Sequence, residues 1–207
     1  MGNAEFDAAL VASAFSLAAE RGWSGVSVAQ AARDADLPLD RARRRFPGRF
    51  AVLLRFGSLA DQAALALVTA EGSPRDRLFD ILMRRIDFLQ RHRAGVLALL
   101  RHLPADPPTA LALAAATHGS LGWMLEGAGI GASGPRGQLR CKGLLAVWLW
   151  TLRAWQRDDS EDLSATMAAL DQALSRAEQV ESWLGGRRET GAPAPESPSS
   201  DELPAAG

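Results

Sequence analysis

Apolar residues recur at steps of three and four along most of this chain, and proline or glycine closes each run. Phe6, Leu10, Ala14, Leu17 and Ala18 mark a first amphipathic helix ending at Gly22. Ser27 caps a short second helix, Val28 to Asp34, and Pro38 opens a third after the break at Ala35-Asp36-Leu37. Pro47-Gly48 ends that one, and a longer helix begins at Arg49 and runs to about Ala70. Ser73-Pro74-Arg75-Asp76 has the form of a capping box. The stripe it opens, Leu78, Phe79, Leu82, Met83, Ile86 and Leu89, reaches His92. Further helices are expected over Val96 to Leu103, Thr109 to Glu126 and Gln138 to Trp155, and a last one opens at Asp158 to Asp162. Gly127 to Gly137 reads as a loop. Neither β-alternation nor an internal repeat is present, so the expected class is all-α, with about nine helices.

Composition agrees. Of 207 residues, 47% are hydrophobic and none is tyrosine, which suits Ala- and Leu-rich helices with a sizeable core. Cys141 is the one cysteine, which rules out an internal disulfide framework and suits a reducing cytoplasm. The longest strongly apolar stretch, Gly143 to Leu152, is far short of the roughly 20 residues that span a bilayer, so no stable membrane association is expected. From Gly185 onward the chain is Gly, Pro, Ser, Glu and Ala, a composition that buries little and reads as a disordered tail. The expected organisation is a head over 1–48, a helical body over 49–184 and the tail over 185–207.

Charge is unevenly placed. Arg41, Arg43, Arg44, Arg45, Arg49 and Arg55 lie within one acid-free stretch of a chain whose net charge is −1. Ala42 and Phe46 are expected to face inward, which turns Arg41, Arg44 and Arg45 toward solvent and leaves Arg43 at the flank. Cations gathered beside a helix-turn-helix point to a phosphate-contacting surface.

Residues 5–60 resemble the N-terminal module of TetR-family transcription regulators. The resemblance rests on Asp7-Ala8-Ala9-Leu10, Phe15, Ala19-Glu20-Arg21-Gly22-Trp23, Ser27-Val28, Ala31-Ala32, Phe46-Pro47 and Leu53-Leu54. It implies a DNA-binding head whose third helix enters the major groove, with Ser27, Leu39, Arg41, Arg43, Arg44, Arg45 and Arg49 on DNA. It also implies a homodimer, an operator of double-stranded DNA and a small apolar effector. This chain has Arg41, Arg43 and Arg45 where the family usually carries Thr, Tyr and Tyr, and Asp36 replaces the turn glycine. Asp tolerates a left-handed backbone better than most residues, so the turn is expected to survive.

Bulky apolar and sulfur-containing side chains on the middle helices suit an apolar effector, and Phe79, Met83, His118, Trp123 and Met124 are the expected lining. Trp148, Leu152 and Trp155 on the penultimate helix, with the seam Leu163, Met167, Leu170, Leu174, Ala177 and Leu184 on the last, are expected at a dimer interface. Trp148 to Ala177 also resembles the C-terminal part of ubiquinone-biosynthesis accessory proteins. These share the TetR fold and bind isoprenoid lipid, so a lipid-binding protein without DNA is the second reading.

An enzyme is not expected. Gly129 to Gly134 spells a dinucleotide fingerprint but follows a helix rather than a strand, and no Gly-x-Ser-x-Gly elbow or phosphate loop is present. His92, His102 and His118 lack metal-ligand spacing, so neither metal nor other cofactor is expected.

Overall fold

A computed structural model describes residues 1–68 and 71–189, which form nine α-helices and no strand. The head holds α1 (Asn3–Arg21), α2 (Val28–Asp34) and α3 (Leu39–Arg45). The body holds α4 (Arg49–Leu65), α5 (Pro74–Gln90), α6 (Arg93–His102), α7 (Pro107–Gly127), α8 (Gly134–Trp155) and α9 (Ser164–Glu189).

Local chemistry explains most of these bounds. The Ser27 hydroxyl accepts the Gln30 amide at the start of α2, and Ser73 and Asp76 close the expected capping box on α5. Asp36 takes φ 56°, and the Leu37 amide donates to the Ala32 carbonyl at 2.8 Å while the Asp36 amide donates to Arg33. That pairing is a Schellman stop, with Leu37 buried beneath it, and it makes the turn between α2 and α3 without glycine.

Three boundaries differ most from expectation. Helix α4 ends at Leu65, and residues 69 and 70 lie outside the described residues. Gly134 to Gly137, expected as loop, is the first turn of α8, because Pro135 is already shaped for that position. Helix α9 begins only at Ser164 and continues to Glu189; residues 190–207, most of the expected tail, lie outside the described residues.

The late start of α9 has a cause in Asp158. This buried carboxylate accepts the Thr166 amide and hydroxyl, each at 2.7 Å, and the Ser160 amide and hydroxyl. Burial alone would raise its pKa, but these donors outweigh burial and hold it at about 2.

One continuous core runs through head and body. Helix α6 lies against α1 so closely that a Cβ on Gly95 would stand 2.2 Å from the Phe15 carbonyl oxygen. Phe15 stacks on Phe56 of α4 with ring centroids 4.0 Å apart, and Phe88 and His92 complete an aromatic joint between the two parts. Burial, and then the nearby Arg91 charge, lower the His92 pKa and favour its neutral form.

The expected dimer seam is largely internal. Trp155 is fully buried and donates to Gln90 Oε1 at 2.8 Å; Trp148, Leu163, Leu170 and Leu174 are also buried within the one chain. Helix α9 turns this face onto α8 and α5, so its apolar seam is satisfied before any partner arrives. Leu152 is half-buried and Met167 exposed, while the side chain of Leu184 lies outside the description.

Candidate nucleic-acid interface and an apolar groove

Six arginines reach into the neighbourhood of α3 and α4, but they are not equivalent. Arg45, expected to face solvent and DNA, is exposed but bends toward α1 and chelates Asp7, its Nη2 2.7 Å from Oδ2. Arg55 approaches the same carboxylate at 2.9 Å. Asp7 is 2% exposed, so the acid-free stretch receives its counter-ion from another helix. Burial raises the Asp7 pKa, yet Arg45 and then Arg55 outweigh that and hold the group below its ordinary value. The signal for this was in the sequence: Asp7 stands on the inward stripe with Leu10 and Ala14, where an unpaired charge is costly.

Arg41 also bends back. It lies over the Phe6 ring at 4.4 Å and donates to Asn3 Oδ1 at 2.7 Å, which leaves it half-buried on α1. Arg43, Arg44 and Arg49 remain on the surface with Ser27 and Leu39. Arg43 donates to the Pro47 carbonyl at 2.6 Å and Arg49 to the Ser24 carbonyl at 3.2 Å. The second bond brings the start of α4 beside the turn that leads into α2, so Arg43, Arg44 and Arg49 flank one helix-turn-helix. Asp40, missed in the sequence reading because it falls one residue before the arginine run, pairs with Arg44 at 2.8 Å in an exposed contact. Such a pair is weak and easily exchanged for another partner.

A groove of about 330 Å³ opens in the body between α4, α5, α6, α7 and α8. Leu53, Phe56, Leu99, Leu113, Trp123 and Trp148 are among its apolar walls. Of the residues expected to bind ligand, Trp123 lines it and is 71% exposed at its mouth. Met124 is buried beside it with its sulfur 3.6 Å from Arg85 Nη1. Phe79, Met83 and His118 are not in the lining: Phe79 and Met83 pack against the core, and His118 lies near Gln138.

Sequence reasoning missed the groove's polar node. Arg85 is 5% exposed, its Nη2 is 3.2 Å from Asp61 Oδ1, and its Nη1 donates to the Ser120 hydroxyl at 3.0 Å. Ser120 in turn donates to Asp61 Oδ2 at 2.6 Å, and the guanidinium lies 4.8 Å over the Trp148 ring. Burial lowers the Arg85 pKa and the Asp61 charge opposes that shift. Arg85 interrupts the α5 stripe three residues after Leu82 and four before Leu89, which is the pattern by which it could have been found.

Among the described residues, no group of three or more His, Cys, Asp and Glu is placed to hold a metal ion. No described helix is long and apolar enough to cross a membrane.

No family model and no curated protein matches the chain. Solved structures do. A TetR transcriptional regulator from Nitrosomonas europaea superposes with a TM-score of 0.69 at 22% identity, over 84% of this chain and 99% of that one. The fold is that of the TetR regulators. A second TetR regulator, from a Rhodococcus species, gives a TM-score of 0.59 at 18% identity, over 85% of this chain and 97% of that one. A TetR-family regulator from Streptomyces coelicolor gives 0.57 at 20% identity, over 96% and 94%. The likeness therefore spans head and body together, not the helix-turn-helix alone.

Proposed function

We propose that this protein is a TetR-like transcriptional regulator that binds operator DNA as a homodimer and responds to a small ligand. The observation that carries the reading is the TetR-fold head in which Arg43, Arg44 and Arg49 stay on the surface around the helix-turn-helix. In the proposed complex α3 lies in the major groove. Arg43 and Arg49 hold phosphates, and Arg44 exchanges Asp40 for a phosphate or a guanine edge. Ser27 and Leu39 complete the contact. Arg45 is excluded from it, because its charge holds α3 to α1.

The ligand acts through the groove. Phe56 lines it and also stacks on Phe15 of the head, so a molecule that displaces Phe56 shifts α1 relative to the body. A preference of about 1–3 kcal/mol for one head orientation is enough to change DNA affinity substantially. The second copy is proposed to cover the outer face of α8 and α9, where Leu149 and Trp150 are each more than half exposed.

The test is the salt dependence of DNA binding. Replacing Arg43 and Arg44 with Ala is expected to weaken binding and to flatten the slope of log affinity against log salt by about 0.9 for each phosphate no longer neutralised. Unchanged affinity and slope would remove these arginines from the interface.

A further inference from the structure

The groove is apolar except at one node, and that node is electrically balanced. Arg85, buried, and Asp61, half-buried, make a pair whose formal charges cancel, with Ser120 bridging them. The pair is not saturated. Arg85 Nε has no hydrogen-bond partner, and Asp61 Oδ1 meets Arg85 only as an ion-pair contact, without a well-formed hydrogen bond. A guanidinium carries five N–H donors and a carboxylate accepts at about four sites, so both groups retain capacity for another polar neighbour. Sequestering such a pair without full satisfaction is costly, and its stabilising value in the fold is small. Its position in the groove gives it a different use.

We infer that the groove takes a neutral amphipathic ligand, an apolar body ending in one small uncharged head that both accepts and donates hydrogen bonds, such as a carboxamide or hydroxyl, docked on Arg85, Asp61 and Ser120. This deepens the effector reading and rests on it. An uncharged head satisfies the node without disturbing its balance. A carboxylate would place a second anion beside Asp61, and an ammonium a second cation beside Arg85, each leaving a net charge in a poorly solvated site. Leu53, Phe56, Leu99 and Leu113 receive the body, and Trp123 stands over the entrance. At about 30 Å³ per non-hydrogen atom, the share of a water molecule in the liquid, the groove holds about eleven such atoms.

Four probes of ten non-hydrogen atoms form two pairs that share a tail and differ only in the head: octanamide with octanoate, and nonan-1-ol with nonylamine. Their binding to the full-length protein can be read from quenching of tryptophan fluorescence, since Trp123 and Trp148 line the groove, with DNA retention measured in the same samples. The expected result is that octanamide binds about tenfold or more tightly than octanoate, and nonan-1-ol than nonylamine, each comparison at constant tail length. Replacing the pair together, Asp61→Leu with Arg85→Met, is expected to remove that ranking without leaving an orphan charge. Tightest binding by octanoate or nonylamine, with release of DNA, would overturn the neutral head while leaving the effector reading intact. Equal binding by all four would also overturn it. If none of the four bound or changed DNA retention, the effector reading of the groove would fall with it.

Discussion

Asp7 shows how one residue sets the availability of its neighbours. By holding Arg45 and Arg55 it engages two of the six arginines and ties α3 and α4 to α1. Asp7→Asn is expected to lower stability by about 1–3 kcal/mol, the cost of losing both charge-assisted pairs at a buried carboxylate, with the arginines' access to water keeping it from being larger. Urea denaturation of the two proteins measures this. A variant as stable as the parent would mean that the Asp7 pair contributes nothing net. The same residue marks where sequence reading stopped. Periodicity placed Phe6, Leu10 and Ala42 inward, and they are, but a pair formed across 38 positions has no local signature. Arg85 was visible as a break in the α5 stripe, but its partners Asp61 and Ser120, on other helices, were not.

At the scale of elements, caps and stops were the most legible feature. Helix α2 spans the residues that Ser27 and the Asp36 turn dictate, because its signals act within a few residues. The start of α9 was less legible, since Asp158 binds Thr166 across eight positions. Linkage gives this cap a definite pH dependence. The folded pKa of Asp158 lies below the ordinary 3.8, so its contribution is complete above that value and is lost as pH falls toward about 2. Asp158→Asn should be less stable than the parent at neutral pH, with the difference closing over that window. A gap that stayed constant from about pH 5 to about pH 2 would exclude the carboxylate as its source. The α1–α6 contact makes a second prediction. Gly95→Ala forces a methyl group onto the Phe15 carbonyl and should cost about 1–3 kcal/mol, because backbone rather than a flexible side chain must yield. A thermal melt matching the parent's would mean that α6 moves away freely.

The whole molecule was legible in class but not in its surfaces. Helical periodicity and punctuation were enough for an all-α chain, with nine helices among the described residues, and the TetR resemblance of residues 5–60 extends in structure to most of the chain. Most residues expected at the interface are buried within the one chain, because an apolar seam looks the same whether it meets its own chain or another. Trp148, Trp155, Leu163, Leu170 and Leu174 are core; Trp150 is 52% exposed and faces outward with Ala168 and Ala169 of α9 nearby. Trp150→Glu should therefore give a folded monomer by sedimentation equilibrium, whereas Trp155→Glu should unfold the body. Retention of the parent's association state by Trp150→Glu would place the proposed interface elsewhere.

Whether this TetR-fold chain reads DNA through α3 is open to a direct test. Sheared genomic DNA from its own host is captured on the purified protein at about 150 mM salt, which suppresses nonspecific phosphate binding, and then sequenced. A few sharply enriched, near-palindromic sites are expected, and they should disappear with Arg43→Ala and Arg44→Ala. Enrichment no different from that of sheared DNA without protein would contradict DNA reading by this head.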